Sequence, residues 1–205
     1  MTKLNDKGAS ELIVGVVIAL IVGIAGGYAV GHHKDNMATA TPQTVSSTTD
    51  GVTVGGAKMV DSKNIVANAL NANNVTTTVK LVEDAGLVST LESAGPFTVF
   101  APNNSAFAAL PSSTVSALQQ PANVKELQNI LTYHVVPGTY TSAALRVMAT
   151  KGQSLTTVQG EQLTPVLENN QLELKDAKGN LVTIQTPDII SSNGVTFVIN
   201  SVLMP

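Results

Sequence analysis

Apolar positions fall into three regimes along the chain. The first, Leu12 to Val30, reads LIVGVVIALIVGIAGGYAV and holds no charge. Its nineteen residues would rise roughly 28 Å as a helix, close to the hydrocarbon thickness of a bilayer and longer than the apolar region of a signal peptide. A transmembrane helix is therefore predicted over 12–31. Lys3 and Lys7 precede it and Lys34 follows, which places a tail of residues 1–11 in the cytoplasm and the remainder outside. The run Ala38-Thr39-Ala40 offers the alternative of cleavage and secretion. Gly15, Ala19, Gly23, Gly27 and Gly31 recur at every fourth position, a small-residue stripe along which two such helices could pair.

The second regime, residues 32–58, is rich in Thr, Ser and Gly and poor in large apolar side chains, so it reads as a flexible linker. In the third, residues 59–205, short periodic segments predict a single folded domain. Asp61 is placed to cap a helix with Ile65, Val66, Ala69 and Leu70 on one face. A second helical stretch with Thr caps carries Val79, Val82, Leu87 and Leu91 and stops at Gly95-Pro96. Phe97 to Ala101 reads as a strand, after which Asn103 or Asn104 opens a helix through Phe107. Asn123 and Glu126 resemble a capping box before Leu127, Ile130, Leu131 and His134, and Leu145 with Met148 mark one more helix. From Leu155 on, five β-like segments are separated by turns at Asn169-Asn170, Lys178-Gly179-Asn180 and Asn193-Gly194. Pro165 within one of them predicts an edge or a bulge. Helices first and antiparallel strands later argue for an α+β domain.

Composition narrows the function. The 205 residues carry 11 Lys plus Arg against 14 Asp plus Glu, a net charge of −3, so no basic face is available for nucleic acid. Aromatics at 3% leave few stacking platforms. With no Cys, thiol chemistry, thiolate zinc and iron–sulfur clusters are out, and with three His, two of them the adjacent His32 and His33, a histidine-rich metal site cannot form. Neither a cofactor nor a metal is expected.

Three stretches in order, TVFAPNNSAF at 98–107, Tyr133-His134 within LTYHVVPG, and NGVTFVINSVLMP at 193–205, resemble the fasciclin-like domain family. The resemblance implies a β-wedge of mostly antiparallel strands packed with several short helices, displayed outside the cell and used for adhesion rather than catalysis. The chain departs from the family at Thr196, Phe197 and Asn200, where an Ile-His pair and an Asp are usual. Thr186-Pro187-Asp188-Ile189-Ile190 is similar to the Pro-Asp-Ile stretch through which animal members are thought to engage integrins alongside their Tyr-His motif. The resemblance thus implies Tyr133, His134, Asp188 and Ile189 as partner-binding residues.

Each has an architectural reading too. His134 can be a hydrogen-bonded core histidine, Tyr133 a polar handle at the core edge, Asp188 a turn cap and Ile189 a core residue. A hydrolase would pair His134 with a hydroxyl such as Ser105 and a carboxylate, but GxSxG is absent. The expectation is a non-catalytic surface-interaction module, tethered through Leu12–Val30, whose partner is an extracellular protein or surface polymer. An alternative is an envelope carrier holding a small apolar ligand between sheet and helices.

Overall fold

The computed structural model describes residues 51–205. The predicted cytoplasmic tail, transmembrane helix with its Gly15–Gly31 stripe, and most of the linker lie outside these residues. Among the described residues no helix is long and apolar enough to cross a membrane.

A small hairpin, β1 (Thr53–Val54) and β2 (Ala57–Lys58), leads into helices α1 (Ile65–Ala69), α2 (Thr76–Asp84) and α3 (Val88–Glu92). Strand β3 (Phe97–Pro102) follows, then α4 (Asn104–Ala108), α5 (Ser112–Leu118) and α6 (Val124–Tyr133). The chain continues through β4 (Val135–Pro137), α7 (Ser142–Thr150), β5 (Leu155–Thr156), β6 (Gln162–Glu168), β7 (Gln171–Lys175), β8 (Leu181–Ser191) and β9 (Gly194–Ile199). The last seven strands form one wedge-shaped sheet in the order β4-β3-β9-β8-β7-β6-β5.

At its centre β3 and β9 run parallel, Phe97 beside Gly194 through Pro102 beside Ile199, while the other pairs are antiparallel. The sheet is therefore mixed: five of its six pairs are antiparallel, in keeping with the mostly antiparallel expectation, and the central β3–β9 pair departs from it. Strand runs identify apolar faces but not the direction of a neighbour contributed from the far end of the chain. Both central strands are buried on both faces, as continuous apolar runs require. Phe100, Val195, Phe197 and Ile199 enter one core with Tyr133, Leu145, Leu163, Leu174 and Leu203. On the opposite face Val99 joins the helix core of Leu81, Leu91, Leu127 and Leu131. Ala101 and Val198 meet a third cluster with Val54, Met59 and Ile189. The two sheet edges meet, because the Val158 N–H donates to the Val135 carbonyl (2.7 Å) just beyond β5. That contact helps protect strand ends that would otherwise offer unpaired backbone.

Several local expectations are revised. Val54 is buried at 4% exposure in the third cluster, so the folded unit includes the hairpin and the linker ends before residue 58. Asn64, not Asp61, caps α1 by accepting from Ala67 N–H (2.7 Å), and Leu70 is exposed. The helical stretch before Gly95 is two helices, broken at Gly86, which sits at φ +68°. The Thr residues do not cap α2; Asn104, nearly thirty positions on, accepts from Thr77 N–H (3.0 Å). Asn123 makes no side-chain cap on α6 and instead donates to the Ala117 carbonyl (2.9 Å). Asn103 does cap α4, accepting from Ala106 N–H (2.7 Å). Pro165 pairs with Leu174 on one side and lies beyond the reach of β5, which pairs only with Gln162 and Leu163.

Candidate functional site

His134 terminates α6 and is 3% exposed. Its Nδ1 lies 2.8 Å from the Ile130 carbonyl and its Nε2 accepts from Leu203 N–H (3.0 Å). The neutral tautomer with the proton on Nδ1 satisfies both, so the ring fastens the end of α6 to the segment after β9. Burial lowers its pKa to about 4, with the Ile130 bond opposing. Both ring nitrogens are held by backbone atoms, and a hydrolytic relay through His134 has no hydroxyl or carboxylate to use.

Tyr133 is fully buried, and its hydroxyl donates to the Gln162 carbonyl (3.0 Å) while accepting from Ala177 N–H (2.8 Å). Burial raises its pKa, Ala177 opposes, and Asp176 and Glu161 add to the rise. The Tyr-His pair thus ties α6 to β6, to the β7–β8 turn and to the C-terminal segment.

The Pro-Asp-Ile stretch lies in β8 where its register with β9 shifts between Thr186 and Ile189. Asp188 has φ +55°, a left-handed conformation that Asp tolerates better than most side chains. The irregularity lets its carboxylate accept from Ser142 N–H (2.7 Å) and from the Ser142 hydroxyl at the start of α7. A carboxylate there satisfies an orphan donor and opposes the positive end of the helix dipole. Ile189 is 3% exposed in the hairpin cluster, while its neighbours Pro187 and Ile190 face solvent. The structure therefore brings Tyr133 with His134 and, elsewhere, Asp188 with α7. It does not assemble the four into one exposed patch.

Three polar residues that motif reading passed over hold the domain together. Asn193 is buried, accepts from Ile65 N–H (2.9 Å) and donates to the Leu91 (2.8 Å) and Ser93 (2.9 Å) carbonyls. Asn68 accepts from Val60 N–H (3.1 Å) and donates to the Val60 carbonyl (2.8 Å) and Ser191 Oγ (2.9 Å). Asp176 accepts from Asn180 N–H (2.7 Å) and Met204 N–H (3.3 Å). Only Asn193 carried a signal, its Asn-Gly pair, and that suggested a turn. In fact Ser192 and Asn193 make the turn and Gly194 begins β9, where an added Cβ would lie 1.9 Å from the Phe97 carbonyl oxygen. Among the described residues no group of three or more His, Asp or Glu could hold a metal.

The fasciclin domain model matches residues 73–205, which span the α2–α3 layer, the sheet and both fastening motifs. The chain belongs to the fasciclin-domain family. It is 36% identical over 179 residues to the Synechocystis protein sll1483, covering 87% of this chain and 91% of that one. It is 34% identical over 146 residues to the Mycobacterium bovis cell surface glycolipoprotein MPB83, covering 68% of this chain and 60% of the other. The fasciclin domain pair of the insect cell adhesion molecule Fasciclin I superposes with a TM-score of 0.64 at 17% identity. That match covers 71% of this chain and about half (52%) of the pair, and it establishes the shared fold. Fasciclin domains are non-catalytic, and this chain is not an enzyme.

Proposed function

We propose that the protein is a non-catalytic surface-contact module, held at the outer face of a membrane by its N-terminal apolar segment and engaging an extracellular protein or surface polymer. The observation that carries this reading is membership of a non-catalytic family with a cell surface relative, MPB83. Support also comes from the motif residues, whose polar atoms are taken up inside the fold. Contact then falls to the exterior, where Leu70, Val147, Leu181 and Ile190 are each exposed large apolar side chains. Paired anchors would raise the avidity of a weak single-domain contact.

The test is photo-crosslinking on intact cells carrying the full chain with a reactive side chain at Ile190 or Val147, together with external protease. The expected result is a discrete crosslinked surface component and cleavage of the domain while a cytoplasmic marker stays whole. Protection of the domain from protease, or no crosslink from either position, overturns the reading.

A further inference from the structure

The helix layer and the central strands do not close on each other completely. A cavity of ≈ 90 Å³ lies between α2, α3, α6 and β3, with Val82, Leu91, Val99, Leu131 and His134 in its wall. A second of ≈ 50 Å³ shares Thr78, Val82, Leu91 and Val99 with it and continues beneath α1. A third of ≈ 20 Å³ shares Ile65, Ala69, Val75, Ala101 and Thr196 with the second and ends at Val54 and Met59 beneath the hairpin. The three form a row along one face of β3 and β9, each sharing lining residues with the next. Thr90 and Val158 belong to the wall of the first and are also solvent-exposed, which sets its mouth between α3 and the turn after β5.

Size and chemistry together define what fits. The walls are almost wholly carbon, and such cavities stay dry because water finds no partners in them. Even the largest is smaller than the roughly 150 Å³ apolar cavity that accepts benzene, so a ring has no room in any one of them. Val82 and Leu91 line both the first and the second space, so they are side chains that a narrow chain passing between the two would displace. At the mouth stand the neutral hydroxyls of Thr90 and Thr132, and the only charged side chain in the three walls is the acidic Glu83. An anionic head would find no cation there.

We infer that this row of cavities is a binding site for a single unbranched hydrocarbon chain with a neutral polar head, threaded between the helix layer and the β3–β9 pair with its head at Thr90 and Thr132. This site is separate from the surface-contact role, and either stands if the other fails. The aliphatic chain replaces missing contacts along the cavity walls; at the mouth the Thr132 hydroxyl, which donates to the Gln128 carbonyl (2.6 Å), can accept a hydrogen bond from the head, and the Thr90 hydroxyl can accept or donate one.

The test uses the full chain in lipid nanodiscs with ¹³C-labelled Val, Leu and Ile methyls, titrated with 1-octanol, octanoate and cyclohexane. Methyl signals report on the site itself, whatever the lipid absorbs. Octanol is expected to shift Val82, Leu91 and Val99 saturably and Ile65 with them. Octanoate should bind roughly tenfold or more weakly, because a buried carboxylate has no partner. Cyclohexane should leave these signals in place. Val82→Ile, and more severely Val82→Phe, fills the junction and should abolish the octanol shifts while the remaining spectrum stays folded. If Val82→Phe fails to fold, Val82→Ile alone decides. Absence of a saturable octanol shift overturns the site, as does octanol binding to Val82→Ile unchanged from the parent. Cyclohexane binding as tightly as octanol overturns the threaded chain, and octanoate binding as tightly overturns the neutral head.

Discussion

Acid should destabilise this domain through His134. The imidazole is neutral in the fold with a pKa lowered to about 4, against 6.5 when the chain is open. Between these values the unfolded chain binds a proton that the folded one does not, so stability rises with pH across the window and falls on acidification. It is fully present above about pH 6.5 and lost as pH drops toward 4. At 1.36 kcal/mol per pH unit the gap caps the loss at about 3 kcal/mol, and about 2.5 kcal/mol is gone by pH 4.5. The cause is local: a protonated Nε2 can no longer accept from Leu203 N–H, and a charge appears where exposure is 3%. Urea unfolding at pH 7.0, 5.5 and 4.5 measures it, with His134→Gln as the reference because glutamine supplies a donor and an acceptor without titrating. Carboxylate effects are common to both proteins and cancel in the difference. The wild type should lose about 2.5 kcal/mol more than the variant between pH 7.0 and 4.5. Equal losses would refute the reasoning and leave His134 as a packing residue only.

Asp188→Ala removes the carboxylate from the start of α7 and should lower stability by about 1 kcal/mol, with Asp188→Asn recovering part of it in thermal melts. Unchanged melting would show that the cap contributes nothing. Asn193→Ala leaves the Ile65 N–H and the Leu91 and Ser93 carbonyls without their partner, and urea unfolding should register a loss of about 2 to 4 kcal/mol. For the anchor, replacing Gly23 and Gly27 by Leu should abolish dimers in a membrane association assay, and dimers that persist would dismiss the small-residue stripe.

The parts of the fold legible in the chain are those set by local chemistry. Asn103 caps α4 where Pro102 ends a strand, and Asn169 with Asn170 at φ +48° and +65° makes the tight turn between β6 and β7. The apolar run of Gly194–Ile199 marks a strand buried on both faces. What escaped depends on residues far apart in sequence. Asn104 caps α2 from the start of α4, and Asn193 joins α1 to α3 from across more than a hundred positions. The parallel pairing of β3 with β9 is set the same way, by a Gly194 that lets the Phe97 backbone approach. At the motifs, His134 was legible as a core residue from its helical phase beside Leu127, Ile130 and Leu131. The second tie, to Leu203, comes from the chain's end and leaves no local trace. Asp188 was ambiguous in sequence because a Pro-Asp pair serves a turn or a surface equally well. The register shift that aims it at Ser142 is visible only once β8 is paired.

The proposed action of residues 51–205, by contact from outside the cell, is open to a test of cell adhesion. The most direct measurement compares the adhesion, to one another and to a matrix-coated surface, of cells carrying the full chain, cells carrying it with residues 51–205 deleted, and cells without it. The full chain should raise adhesion above both controls, and soluble domain released by external protease should compete it away. Equal adhesion of all three, with the full chain verified at the surface, would contradict it.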